Sequence, residues 1–145
     1  MNALVLWGHL VATLYLTGLI WVIQIVHYPL MDRVPGENFV EFHHQHARRI
    51  GIVVVAPMIV ELVTAGVLAI SAPSGVPAFL PATGLALVAV IWLSTFVLLV
   101  PLHSRLSGGF DAAAHAALVS GNWIRTIAWS LRAAIAVAIT VTATG

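Results

Sequence analysis

Residues 41–50 read EFHHQHARRI, which places a carboxylate, three histidines and two arginines within ten positions. Few residues elsewhere in the chain carry charge. His43 and His46 are three apart and share one helix face. Two imidazoles at that spacing suit one metal ion. With a carboxylate, neutral imidazoles hold zinc, copper or non-haem iron. Two facing histidines can instead hold haem b in a helix bundle. Further along the same face come Ile50, Val54, Pro57 and Glu61, so the face carries an acid as well as two histidines. His44 and Arg48, four apart, lie on another face that suits headgroups or water.

The surrounding composition favours a lipid solvent. The chain has 145 residues, of which 61% are hydrophobic and 8% charged. Ordinary soluble domains carry roughly 25% charged residues. The mean hydropathy is +1.04. All six cations are arginine, and the net charge of +1 gives no electrostatic case for nucleic acid. The absence of cysteine excludes disulfides, thiolate zinc sites and iron–sulfur clusters.

Four apolar runs are each long enough to cross a bilayer, which takes about 20 residues. The expected spans are about 3–28, 40–70, 83–106 and 112–143. No basic residue precedes Arg33 and the first apolar run is long, which predicts a retained span rather than a cleaved leader. Pro29, Pro35 and Gly36 are expected to end it. Pro57 should kink the second span and free a carbonyl near Val53. Asp111 suits the N-cap of the last helix. The fold expected is all-α: an integral membrane four-helix bundle, up-down-up-down, in a single domain. Asp32, Arg33, Glu37, Glu41, Arg48, Arg49, Arg105 and Asp111 then share one mouth. An arginine excess marks the cytoplasmic side. Both termini are therefore expected on the non-cytoplasmic side of the inner (cytoplasmic) membrane.

That topology gathers the chemistry. His27 ends the first span, His43, His44 and His46 open the second, His103 ends the third and His115 opens the fourth. His9 alone lies at the other end, as a helix-end or interfacial residue. The expected metal ligands are His43, His46, His103 and His115, for copper, iron or zinc. His27 is a further ligand or a proton carrier. Asn122 and Arg125 are expected to orient a substrate oxygen. Glu61, thirteen residues beyond Arg48, lies roughly 20 Å along its helix at ~1.5 Å per residue, near mid-bilayer. A buried acid there needs a partner, and Arg132 is the expected one. The five tryptophans are read as belt or packing residues.

The segment VPLHSRLSGGFD…NWIRTIAWSLRA, residues 100–134, carries a resemblance. Pro101 and Leu102 at the end of the third span, with Asn122, Trp123, Arg125 and Thr126 in the last, resemble the small four-span membrane proteins grouped with anthrone oxygenases. His103 stands where that family usually has asparagine. The segment QIVHYPLMDRVPGENFVEFHHQHARR, residues 24–49, resembles bacterial membrane proteins of undescribed function. The resemblance implies oxidation of an activated aromatic or quinol-like carbon by O₂.

The function expected is therefore a membrane oxidoreductase or oxygenase, with a histidine-ligated metal at the cytoplasmic mouth. Its partners would be the bilayer and a lipophilic small molecule, and a homo-oligomer is open. Two alternatives stand beside it: a bis-histidine haem electron-transfer protein, and a non-catalytic accessory subunit or metal carrier. Without an inverted repeat, four spans offer no obvious alternating-access transporter.

Overall fold

A computed structural model describes residues 3–145. Four long helices account for nearly all of them: α1 (Ala3–Arg33), α2 (Gly36–Ile70), α3 (Phe79–Leu106) and α4 (Ala112–Thr144). Each is long and apolar enough to cross a membrane. They pack as a square, α1 against α2 and α4, and α3 against α4 and α2. Short connections make sequential neighbours antiparallel. The architecture is the all-α four-helix bundle, and the chain is a multi-pass membrane protein.

The surface is inverted relative to a soluble bundle. Ile52, Val55, Phe96, Val97 and Leu131 face outward. In water such a continuous apolar surface would be an aggregation site; against lipid tails it costs nothing. Polar side chains go inward instead, among them Gln24, His43, Glu61, Asn122, Thr126 and Arg132. Small residues such as Ala12, Ala65, Ala128 and Ala136 sit at the buried seams, where they let helix backbones approach. At ~1.5 Å per residue, α2 and α4 run about 50 Å, well beyond a hydrocarbon core of about 30 Å. Their charged ends therefore project past the membrane.

The prolines act differently from expectation at Pro29. The first helix does not stop there; it runs on to Arg33. The backbone widens into a π turn at Ile23–His27, just before the proline. A second π turn, Thr95–Leu99, precedes Pro101 in α3. The cause is shared. Proline has no N–H for the carbonyl four residues back, and its ring crowds that carbonyl. A wider turn relieves the clash without ending the helix. Pro57 lies inside α2 as expected, and the Tyr15 hydroxyl donates to the Val53 carbonyl at 3.3 Å. The acceptor that Pro57 leaves open is thus taken from α1.

The helices reach past the expected spans: α1 to Arg33 against 28, α2 from Gly36 against 40, and α3 from Phe79 against 83. Asp111 caps α4 as expected, accepting from the Ala114 N–H at 2.9 Å.

Candidate functional site

At the charged end of the bundle, the π turns bring α1 and α3 side chains onto the His43–His46 face of α2. His43 is fully buried and His46 nearly so, while His44, Arg48 and Arg49 are exposed. The split between inward histidines and outward arginines follows the three-residue spacing. Met31, Phe39, Leu106 and Leu118 are completely buried and form an apolar floor at this end.

The hydrogen bonds form a chain. The Tyr28 hydroxyl is 3.0 Å from His103 Nε2. His103 Nδ1 is 3.1 Å from His43 Nε2. His43 Nδ1 is 3.3 Å from Ser107 Oγ. Ser107 donates its own proton to the His103 carbonyl at 2.9 Å. That last bond sets the direction of the rest, given neutral imidazoles, each with one donor and one acceptor nitrogen. Ser107 must accept from His43 Nδ1–H. His43 Nε2 then accepts from His103 Nδ1–H, and His103 Nε2 accepts from Tyr28. Every ring nitrogen in the chain is used once.

His27 and His46 lie beside this chain. Their rings stack with centroids 4.2 Å apart, and His46 lies 5.9 Å from His103. The Nε2 atoms of both His27 and His46 are buried with no hydrogen-bond partner. Both rings line a cavity of about 400 Å³ between α1 and α2, with Phe42, Arg49 and Ile50.

The expected ligand set is only partly assembled. His43, His46 and His103 come together, but His115 does not join them. Its Nε2 is 2.7 Å from the Tyr28 carbonyl, to which it donates. The Tyr28 carbonyl, at the irregular end of α1, also accepts from the Met31 N–H, so the His115 imidazole adds a second bond to it. Among the described residues, no three histidine or acidic side chains are placed to hold one metal ion. Only the facing pair His43 Nε2 and His103 Nδ1 converges.

Deeper in the bundle, Asn122 is fully buried and bonded inside the protein. It donates to Gln24 Oε1 at 2.9 Å and accepts from Arg125 Nη1 at 3.4 Å. It positions Arg125 rather than reaching a ligand. Gln24 in turn donates to the Val119 carbonyl, and Thr126 donates to Gln24. The Arg125 guanidinium lies over the Trp129 ring at 4.9 Å and beside the Tyr28 hydroxyl.

Glu61 and Arg132 form the ion pair, 3.0 Å apart. Trp129 completes it, donating to both Glu61 oxygens at 3.0 and 3.2 Å. Arg132 Nη1 also donates to the Gly84 carbonyl on α3. Sequence reasoning read Trp129 as packing and missed this role. The available signal was a buried indole on the Asn122–Arg125–Arg132 stripe, since a buried Trp N–H needs an acceptor. His9 is buried, with Nδ1 3.0 Å from Thr64 Oγ1.

At the loop outside the spans, Arg105 Nη2 meets Asp111 Oδ2 at 2.5 Å. The Ala114 N–H first, and the Arg105 guanidinium second, hold the Asp111 carboxyl below the usual carboxylate range.

No family model, curated protein or solved structure matches the chain.

Proposed function

We propose that this protein is a membrane oxidoreductase that oxidises a lipophilic aromatic or quinol-like ring, drawing the ring's proton into the Tyr28–His103–His43–Ser107 chain. The observation that carries this reading is the chain's single consistent direction. Tyr28 and His103 line a separate cavity of about 350 Å³ between α2 and α3, and Tyr28 can accept a proton from that side only as its own proton passes to His103 Nε2. Each imidazole then hands on the proton it already holds. The chain ends at Ser107, half-buried on the charged mouth, which the arginine excess assigns to the cytoplasm.

The chemistry that fits is proton abstraction from an activated ring carbon. The electron-rich anion so formed can reduce O₂, the oxidant the family resemblance implies. Overall, one CH₂ group and one O₂ become one ring carbonyl and one water, which balances atoms and electrons. A positioned base of this kind contributes typically 10²–10⁴-fold.

In a second reading, His43 and His103 would hold a transition metal. The outer nitrogens of both rings face hydroxyl oxygens that can accept their N–H and so orient the rings. The unpartnered Nε2 atoms of His46 and His27 offer further donors. Copper, iron or zinc would supply Lewis-acid or redox chemistry at that point. Haem b fits less well. His43 and His103 are in hydrogen-bond contact, which leaves no gap for a macrocycle.

The test is oxygen uptake by purified protein with an anthrone-type substrate, before and after chelation, alongside elemental analysis. Activity that survives chelation supports the proton chain. Activity lost with a stoichiometric metal moves the function to the second reading. No substrate-dependent uptake in either state overturns both.

A further inference from the structure

Arg125 is a buried cation without a counter-ion. It is 8% exposed. The chain has five acids, and the three that pair with arginine take Arg33, Arg105 and Arg132. Among the described residues, no carboxylate stands within 4.0 Å of Arg125. Its Nε atom is buried with no hydrogen-bond partner. Burying an arginine in the membrane is costly, and such residues usually pair. Leaving a guanidinium donor unmet adds a further cost.

A second unmet donor borders the same space. Trp92 Nε1 is also buried and unpartnered. Both side chains line a cavity of about 350 Å³ between α2 and α3, together with Tyr28, Met58 and His103. That volume falls in the usual range for small-molecule sites. Its walls are apolar, and its outer edge is formed by lipid-facing Val55, Ile59 and Phe96. A ligand therefore reaches it sideways from the bilayer. The cation is held from behind by Asn122 and Trp129, so it is fixed before any ligand arrives.

We propose that this cavity binds a lipophilic monoanion, with a carboxylate-type head on Arg125 and Trp92 and an apolar body along Met58 and Phe96. One uncompensated cation calls for one negative charge. Two N–H donors call for an acceptor with more than one lone pair. The apolar walls exclude a free inorganic anion, whose hydration they could not replace. The inference goes beyond the redox reading and needs no turnover.

The experiment is calorimetric titration of the protein in phosphatidylcholine nanodiscs, with dodecanoate and, separately, dodecanol. One charge-assisted hydrogen bond predicts at least about tenfold tighter binding of the anion. In Arg125→Gln that preference should vanish, while Trp92→Phe should weaken dodecanoate several-fold and leave dodecanol unchanged. Equal affinity of the two probes for the wild-type protein overturns the proposal. So does an Arg125→Gln protein of unchanged melting temperature that keeps the preference. If Arg125→Gln fails to fold, the wild-type comparison and Trp92→Phe still decide. Oxygen uptake plays no part, so loss of the redox reading and loss of this one are separate results.

Discussion

Trp129 and Glu61 meet through one indole N–H shared between both carboxylate oxygens, at 3.0 and 3.2 Å. Arg132 approaches the same carboxylate from the other side at 3.0 Å. Three helices are tied at this point, since Glu61 is on α2, Trp129 and Arg132 are on α4, and Arg132 also holds the Gly84 carbonyl of α3. The pair sits deep in the bundle, where each partner is 1% exposed. Neither charge can be removed alone without stranding the other.

Glu61→Gln should therefore cost about 3–5 kcal/mol, the penalty for leaving one buried charge uncompensated. Thermal unfolding in detergent measures it. The double variant Glu61→Gln with Arg132→Met should recover much of that loss. A Glu61→Gln protein as stable as the parent would sink the idea that the pair fixes the bundle.

Trp129→Phe separates packing from hydrogen bonding at the same place. The ring is kept and the donor is lost. Hydrogen bonds to charged groups are worth about 1.5–3 kcal/mol, so a loss of that size is expected. The cation–π contact with Arg125 persists with a phenyl ring, so the loss reports on Glu61. Stability within about 0.5 kcal/mol of the parent, the usual range for neutral substitutions, would show that the indole N–H does not matter.

Much of this arrangement is legible in the sequence, because lipid leaves few options. Apolar length gives the spans, and three-residue spacing puts His43, His46 and Glu61 on one buried face. A lone acid deep in α2 needs a cation, and Arg132 is the deeper of the two arginines in α4. What escapes is whatever depends on the π turns. Periodicity at 3.6 residues cannot say where His27, Tyr28 and His103 point once each helix gains a wider turn before Pro29 or Pro101. Hence Tyr28 went unnoticed as the end of the chain. His115 was assigned to a metal when it answers a backbone carbonyl. The contact of His9 with Thr64 escaped because Thr64 lies on another helix and carries no charge signal.

Asp111 gives a pH prediction. Its folded carboxyl lies below its usual range, so the stability it contributes is fully present above the unfolded value of about 3.9. That contribution is lost as pH falls through the lower folded value. The first turn of α4 should then fray on acidification below about pH 4. Hydrogen exchange at Ala114 and His115 reports it. Asp111→Asn keeps an N-cap acceptor but has no charge to titrate, so its α4 terminus should lose this acid transition. An unchanged transition in that variant would assign it to another group.

The metal reading predicts a sharp result for His43→Ala with His46→Ala. If a metal sits between the helices, bound metal should fall to background while thermal unfolding stays cooperative. If the nitrogens carry protons only, metal content is already negligible in the parent. Elemental analysis of both proteins distinguishes the cases.

The two ends of the hydrogen-bond chain should respond unequally to mutation. Tyr28 is buried and is its member nearest Arg125, so Tyr28→Phe removes the first acceptor of the substrate's proton. A drop in kcat within the 10²–10⁴-fold range of general-base loss is expected, with little change in KM. Ser107 lies at the half-buried end, where water can take over its oxygen, so Ser107→Ala should cost far less. His103→Gln should match Tyr28→Phe, because an amide accepts a hydrogen bond but cannot pass a proton on. Steady-state oxygen uptake on the three variants tests the order. If Ser107→Ala proved as damaging as Tyr28→Phe, the proton would not be leaving by the charged mouth.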